Sequence, residues 1–296
     1  MARATLPPAA ADPPLPARVP VVTRLKPLGA ALGWVTAFLA VGTIVTLLLE
    51  QVIPHTDSPW WLARAGAIQV AGFAIATWTI GRWLNRRSWA EMGWRDGGVA
   101  LRGFASGALW GGAMAVLAVL LAVALSGARV YVHAPGPVFP VGGPILVGVL
   151  FAALSEELVF RGYPLRRTAD ALGQGRAIIL SAVAFGAAHL MNPEAQVLGA
   201  VNVALAGIWL ALAFFSPGGM ALAWGVHVGW NATLGELFNA PVSGYDFAIP
   251  GAHYSPGRYE WVDGGLFGPE GGLVGTIAIG VGLVIFWRRA RLAATS

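Results

Sequence analysis

The chain contains no cysteine among its 296 residues, and only 11% of them are charged. The absence of cysteine excludes disulfides, thiolate metal sites and a cysteine nucleophile. The charged fraction is less than half of the roughly 25% typical of soluble domains, whereas 56% of the residues are hydrophobic. This composition predicts an integral membrane protein built as one helical bundle. Glu, Asp, His, Asn and Ser remain as the residues available for chemistry.

Lysine is also nearly absent, since Lys26 is the only one and the other 18 of the 19 basic residues are arginines. In a soluble protein, the net charge of +5 would suggest a nucleic-acid partner. In a membrane protein, the same excess indicates arginines in cytoplasmic loops. We therefore expect membrane lipid and a peptide or protein substrate as partners, and no nucleic acid.

Apolar segments long enough to cross a bilayer recur along the chain. We expect eight of them, at about 27–49, 61–81, 101–126, 141–163, 175–191, 195–215, 218–238 and 271–288. Residues 1–26, rich in Pro and Ala, are expected to form a disordered cytoplasmic leader. Residues 27–291 are expected to form a single transmembrane domain with its motif core at 144–235, followed by a tail at 292–296. The predicted fold class is all-α, a polytopic transmembrane helix bundle with a polar intramembrane cavity.

The basic residues indicate the orientation of this bundle. They concentrate in the leader and in alternate connections, at Arg3, Arg18, Arg24, Lys26, Arg82, Arg86, Arg87, Arg95, Arg102, Arg166, Arg167, Arg176, Arg288, Arg289 and Arg291. The remaining connections hold only Arg129 and Arg258, with Arg64 at the entrance of a span. The positive-inside rule then predicts a multi-pass protein of the cell membrane with both termini in the cytoplasm.

The sequence also contains a regular glycine repeat and one long connection, and each has a structural interpretation. Gly103, Gly107 and Gly111 repeat every fourth residue, which favours close helix packing over a ligand loop. Residues 239–270 form the one long connection, called the outer loop below. We expect its aromatic residues to lie at the membrane interface, in preference to forming a substrate lid, and its four carboxylates to lie in solvent.

One of the apolar runs ends with two adjacent carboxylates and an arginine. They are Glu156, Glu157 and Arg161. An ionised side chain at membrane depth costs about 3 kcal/mol, so these residues must either hold helices together or do chemistry. Glu157 and Arg161 are one helical turn apart and are expected to pair. Glu156 points to another face without a local counter-ion. We therefore expect Glu156 to be the reactive acid and Glu157 with Arg161 to support it.

Polar side chains occur within two further spans. His189 lies near the end of the fifth span, and His227 and Asn231 share one face of the seventh. A water held between Glu156 and His189 could be deprotonated and directed at a carbonyl carbon. His227 and Asn231 would then donate hydrogen bonds to the developing oxyanion. The predicted reaction is hydrolysis of a peptide bond.

Three motifs carry a family resemblance. They read Glu156-Glu157-Leu-Val-Phe-Arg161, Phe185-Gly-Ala-Ala-His189 and His227-Val-Gly-Trp-Asn231. In this order the chain resembles the CAAX-protease and bacteriocin-processing (Abi) family of intramembrane glutamic endopeptidases. The resemblance implies an eight-helix membrane fold and cleavage of membrane-associated or lipidated peptides by activated water, without a cofactor or metal. It implies catalytic roles for Glu156, His189, His227 and Asn231, supported by Glu157, Arg161 and Phe185.

Three alternatives remain open. A zinc-dependent membrane metalloprotease would use Glu156, His189 and His227 as ligands, although the His-Glu-x-x-His helix motif is missing. A proton-coupled transporter would use buried Glu and His as proton relays, although the second half contains no repeat of the Glu-Glu motif. An inactive scaffold that kept these residues is the third.

Overall fold

A computed structural model describes residues 21–132 and 138–295, and this part of the chain is almost entirely helical. The helices are α1 Val21–Val52, α2 Trp61–Ala76, α3 Gly97–Ser126, α4 Val138–Phe160, α5 Gly162–Leu172, α6 Gln174–Ala188, α7 Val197–Phe215, α8 Gly219–Ala232, α9 Glu260–Asp263 and α10 Leu273–Thr295. The strands are β1 Arg129–Val132 and β2 Ala252–Ser255. The predicted all-α class is confirmed.

Each predicted span corresponds to a helical segment of the structure. By length and composition, five segments of the described chain could cross a membrane, namely Pro27–Val52, Gly97–Ser126, Val138–Leu172, Gln174–Met191 and Val197–Phe215. Two others are short α-helices that continue as π-helix, α2 through Thr77–Leu84 and α8 through Thr233–Leu237. The last predicted span lies in α10.

The first helix begins earlier than expected. Residues 1–20 of the predicted leader lie outside the described residues, but α1 starts at Val21 and contains Pro27. Helix α1 therefore includes the last six residues of the predicted leader, 21–26. Residues 21–26 contain no proline or glycine, so they can continue the helix toward the N-terminus. At the other end, α10 extends through the predicted tail to Thr295.

Contacts among the connections distinguish two ends of the bundle. At one end, the connection before α3 contacts the last turn of α5 and the start of α8: Arg87 pairs with Asp170 at 2.5 Å, and Met220 N–H donates to Gly93 O at 2.8 Å. We call this the arginine-rich end. At the other end, β1 pairs antiparallel with β2 of the outer loop. We call this the loop end.

Helices α3 and α8 form the closest helix pair of the bundle. Gly107 and Gly111 of α3 face the backbone of Leu222 and Val226, and Gly225 and Gly229 of α8 face that of α3. A Cβ atom at any of these four glycines would collide with main-chain atoms of the other helix. The packing function predicted for the glycine repeat is thus present, because only glycine allows this backbone approach.

The outer loop is folded onto the bundle. Asp263 is fully buried, accepts hydrogen bonds from Ser126 Oγ at 2.5 Å and Gly257 N–H at 2.6 Å, and holds the loop against the end of α3. Tyr254 and Phe267 are buried in the main core, and burial raises the pKa of the Tyr254 phenol. The expectation of solvated carboxylates is wrong for Asp263. The expectation of interfacial aromatics is wrong for Tyr254 and Phe267, because both rings pack into the main core.

Candidate active site

The Glu-Glu motif lies where α4 ends. The helix stops at Phe160, and Arg161 has a non-helical backbone (φ −112°, ψ −93°) before α5 begins. The Glu157 and Arg161 side chains are both 0% exposed, and Arg161 Nη1 lies 3.4 Å from Glu157 Oε1. The predicted Glu157 and Arg161 pair is therefore present. It is deeply buried, so each charge depends on the other for stabilisation.

Glu157 also contacts a second motif directly. His227 Nδ1–H donates to Glu157 Oε1 at 2.9 Å, and this hydrogen bond joins α4 to α8. With its Nδ1 proton directed at the carboxylate, His227 turns its Nε2 toward the opposite side. Glu157 is thus a partner of His227 as well as of Arg161, which the spacing along α4 did not predict.

His189 and His227, from the other two motifs, both lie close to Glu156. His189 Nδ1–H donates to the carbonyl oxygen of Phe185 at 2.8 Å, which also leaves its Nε2 facing outward. Glu156 Oε2 lies 3.7 Å from His227 Nε2 and 3.9 Å from His189 Nε2. The Glu156 side chain is 33% exposed, whereas that of Glu157 is fully buried. The two adjacent acids therefore differ in exposure, since one is accessible and the other is enclosed.

Phe185 holds three of these side chains in place. Its ring centroid lies 4.2 Å from the Arg161 guanidinium carbon, 4.6 Å from the His189 ring and 6.0 Å from the His227 ring. A cation over the face of an aromatic ring is attracted by its quadrupole. Phe185 thus supplies a counter-surface for the buried arginine and, through its carbonyl group, fixes the orientation of His189.

A cavity of about 340 Å³ lies beside Glu156 and is lined in part by residues of the loop end. Glu156, His189, His227 and Asn231 all line it. The four residues assigned to catalysis lie in α4, in the 3-10 turn His189–Met191 after α6 and in α8, and they therefore share one cavity. Asn231 points into it without a hydrogen bond to any other described residue.

Other lining residues were not identified from the sequence as part of the site. They are Gln69 of α2, Asn192, and Val242, Ser243, Tyr245 and Phe247 of the outer loop. Gln69 also accepts a hydrogen bond from Ser155 Oγ at 3.1 Å, which links α2 to α4. No periodic pattern marks the loop residues, because an irregular segment brings them to the cavity. The outer loop therefore forms one wall of the site.

A second, smaller cavity of about 40 Å³ lies behind the histidines. Glu270 borders it, buried, and accepts hydrogen bonds from Trp230 Nε1 at 2.8 Å and Ser243 Oγ at 2.5 Å. The expectation that Glu270 lies in solvent is wrong. Its carboxylate instead connects α8 to the outer loop, and Asn202 of α7 donates to its main-chain carbonyl at 2.8 Å.

The zinc alternative requires several ligand side chains arranged around one metal ion. Within residues 21–132 and 138–295, no group of three or more His, Cys, Asp or Glu side chains is arranged to hold a metal ion. The two histidines and Glu156 face one another, but at 3.7 and 3.9 Å from nitrogen to oxygen they form an open polar cluster.

The fold and the convergent polar residues define a polytopic helical membrane protein with a buried polar site. Residues 138–233 match the model of a family described as type II CAAX prenyl endopeptidase Rce1-like. No curated protein and no solved structure matches the chain.

The match covers about a third of the chain and contains all three motifs. It confirms the resemblance to the CAAX-protease and bacteriocin-processing family. A family so described consists of membrane proteases, which are peptide hydrolases, and the match supports this class at the level of the family.

Proposed function

We propose that this protein is an intramembrane endopeptidase that cleaves membrane-associated or lipidated peptides with a water activated by Glu156 and His189. The observation that carries the proposal is the meeting of Glu156 Oε2 with the Nε2 atoms of His189 and His227 in one accessible cavity. No nucleophilic side chain is needed, since water itself attacks the carbonyl carbon.

Water activation follows from the orientation of the first two groups. Glu156 Oε2 and His189 Nε2 are 3.9 Å apart, a separation that one water molecule can bridge with a hydrogen bond to each. The carboxylate takes a proton from this water while the hydroxide attacks, and it returns the proton to the leaving amine. General acid–base catalysis of this kind contributes about 10²–10⁴ in rate.

Stabilisation of the oxyanion is assigned to the other two groups. Glu157 accepts the Nδ1 proton of His227, so a doubly protonated His227 can donate from Nε2 into the cavity. Asn231 supplies its side-chain N–H₂ from the same helix face. Loss of one good donor to an oxyanion lowers the rate by about 10²–10³.

The test is cleavage of a library of membrane peptides by purified wild type and Glu156→Gln. The substitution keeps the shape of the side chain but removes the base, so we expect turnover to fall by at least about 10²-fold. The thermal stability should stay unchanged, because no described residue donates a hydrogen bond to Glu156.

Glu91→Gln is a matched control. Glu91 is an exposed acid at the arginine-rich end that accepts hydrogen bonds from Ser88, which lower its pKa. This variant should cleave like wild type. Full activity of Glu156→Gln in the same assay would refute the proposal.

Two of the three alternatives, the zinc enzyme and the transporter, predict different results in that assay. A zinc enzyme would lose activity on treatment with a chelator and regain it with Zn²⁺. A proton-coupled transporter would cleave no peptide in any variant. For the proposed mechanism, activity of wild type should be insensitive to chelation.

A further inference from the structure

A cavity of about 670 Å³ lies at the arginine-rich end of the bundle. It is surrounded by the starts of α3, α6 and α8, the end of α7 and the C-terminal part of α10. In the part of the chain that the structure describes, none of its lining residues borders the cavity beside Glu156 or the smaller one behind the histidines. This cavity is therefore separate from the four residues proposed for catalysis.

Two arginines line this cavity, and no acid does so among the described residues. Both Arg102 and Arg289 are exposed. The Arg289 guanidinium carbon lies 5.5 Å from the centroid of the Trp110 ring, a contact that holds the side chain without neutralising its charge. The ion pairs between described arginines and acids involve other residues, namely Arg64, Arg87, Arg161 and Arg166. The positive charge of the cavity is therefore not balanced by an ion pair.

Charged residues next to the lining residues add to this positive charge. Within four positions of a lining residue, the sequence contains Arg95, Asp96, Asp170, Arg176, Arg288 and Arg291. Asp170 already pairs with Arg87. Asp96 is exposed and immediately precedes α3. The four neighbouring arginines outnumber these two acids, so the surroundings of the cavity do not cancel the charge of its lining.

The cavity combines these charges with hydrogen-bonding and apolar side chains. Ser106 lies one helical turn after Arg102, and Gln174 lies at the start of α6. The apolar part of the lining includes Leu212, Phe215, Leu222 and Phe286. A guanidinium group binds phosphate through paired N–H donors, whereas apolar side chains favour a hydrocarbon chain. This lining fits an amphiphilic molecule with an anionic head group.

We propose that this cavity binds an anionic phospholipid, with its phosphate beside Arg102 and Arg289 and an acyl chain along Leu212, Phe215 and Phe286. Arg102 lies in the second turn of α3, a helix long and apolar enough to cross a membrane. Its guanidinium is therefore expected at the depth of the lipid head groups. Basic pockets between transmembrane helices recognise phosphate head groups in this way. The proposal does not depend on the proposed proteolytic activity.

The test is native mass spectrometry of the purified full-length protein in detergent, titrated with phosphatidylglycerol or with phosphatidylcholine. One arginine near an anionic lipid is worth about fivefold in affinity, so Arg102→Gln combined with Arg289→Gln should weaken binding of the first phosphatidylglycerol by about 25-fold. Zwitterionic phosphatidylcholine should bind more weakly to wild type and equally to wild type and the double variant. Unchanged affinity of the double variant for phosphatidylglycerol would overturn the proposal.

A second double variant, Arg82→Gln combined with Arg86→Gln, is the matched control. Both arginines are exposed at the same end and neither lines the cavity, so the variant removes the same charge from outside the site. It should bind phosphatidylglycerol like wild type. Equal weakening by the two double variants would show that the charge of the whole end attracts the lipid, and the assignment to this cavity would be wrong. Thermal unfolding in lipid-free detergent verifies that both variants are folded.

Two further measurements separate a lipid from a free phosphate. Inorganic phosphate at millimolar concentration should not displace phosphatidylglycerol, since it has no chain to occupy the apolar part of the cavity. Complete displacement would overturn the assignment to a lipid. Ser106 is exposed and lines the cavity, so Ser106→Phe would add a ring there without changing the charge. This variant should also bind phosphatidylglycerol more weakly, and wild-type affinity would contradict the predicted position of the lipid.

Discussion

Helix α8 and the π-helix that continues it have two faces, and each face contacts a different part of the molecule. The face with Gly225 and Gly229 lies against the backbone of α3 so closely that a methyl group has no space. The other face carries His227 and Asn231 and borders an open cavity. Close backbone packing fixes the position of the helix without polar contacts. The histidine and the asparagine are thereby held in place by a surface that takes no part in the chemistry.

Among substitutions on the cavity face, Asn231→Leu is expected to lower kcat the most. No hydrogen bond joins Asn231 to another described residue, so leucine of similar size should leave the fold intact. Loss of its donor to the oxyanion should lower kcat by about 10²–10³-fold. Turnover of a cleaved membrane peptide and thermal unfolding, measured on the same preparation, check both parts.

The same substitution at Asn202 is the matched comparison. Asn202 is buried in α7, donates to Glu270 O and Gly272 O at 2.8 Å each, and accepts from Thr276 Oγ1 at 2.7 Å. Asn202→Leu would remove these three hydrogen bonds. Gly272 O still accepts from Thr276 N–H, but the loss of the side-chain donor to the buried Glu270 O should cost about 1–3 kcal/mol, so the protein should become less stable. If Asn231→Leu also unfolds the protein, Asn231 has a structural role and the assignment to the oxyanion is wrong.

On the packed face, Gly111→Ala should weaken the fold. The added methyl group would meet the main chain of Val226, so α3 and α8 must separate. Overpacking costs about 1–3 kcal/mol, and a lower melting temperature in detergent should report it. Gly280→Ala in α10 is the control, since a Cβ there meets nothing within 4 Å. Equal stability of the two variants would show that the glycine contact is not tight.

Helical spacing explains which of these features could be predicted from the sequence. Regular elements carry a period, so the apolar runs, the Gly103 to Gly111 repeat and the pairing of Glu157 with Arg161 could be read directly. The hydrogen bond between His227 and Glu157 joins residues 70 positions apart, and one sequence contains no signal for it. Irregular loops have no period either, so the burial of Asp263 and Glu270 and the loop wall of the cavity could not be predicted.

An intermediate effect is expected for Glu157→Gln. Glutamine can still accept one hydrogen bond from His227, but it no longer provides a charge for His227 and Arg161. Groups that orient a functional histidine typically contribute 10- to 100-fold, and kcat should fall by about this factor. The melting temperature should fall as well, because the buried Arg161 loses its counter-ion. A loss of stability with unchanged kcat would restrict Glu157 to the role of a support for Arg161.

The smallest loss of stability is expected from a substitution in the outer loop, at the point where the loop covers the cavity face of α8. Ser243 Oγ donates to Glu270 Oε1 at 2.5 Å, and its carbonyl accepts from Asn192 Nδ2 at 3.1 Å. Ser243→Ala removes only the first bond, so stability should fall by about 0.5–1.5 kcal/mol. Ser106→Ala is the control, since Ser106 Oγ bonds only to Gly103 O within its own helix, at 3.1 Å. Because the loop is held by a few polar contacts and α3 by continuous backbone packing, Ser243→Ala should change stability less than Gly111→Ala. The opposite order would mean that the cavity wall, and not the glycine contact, fixes the position of α8.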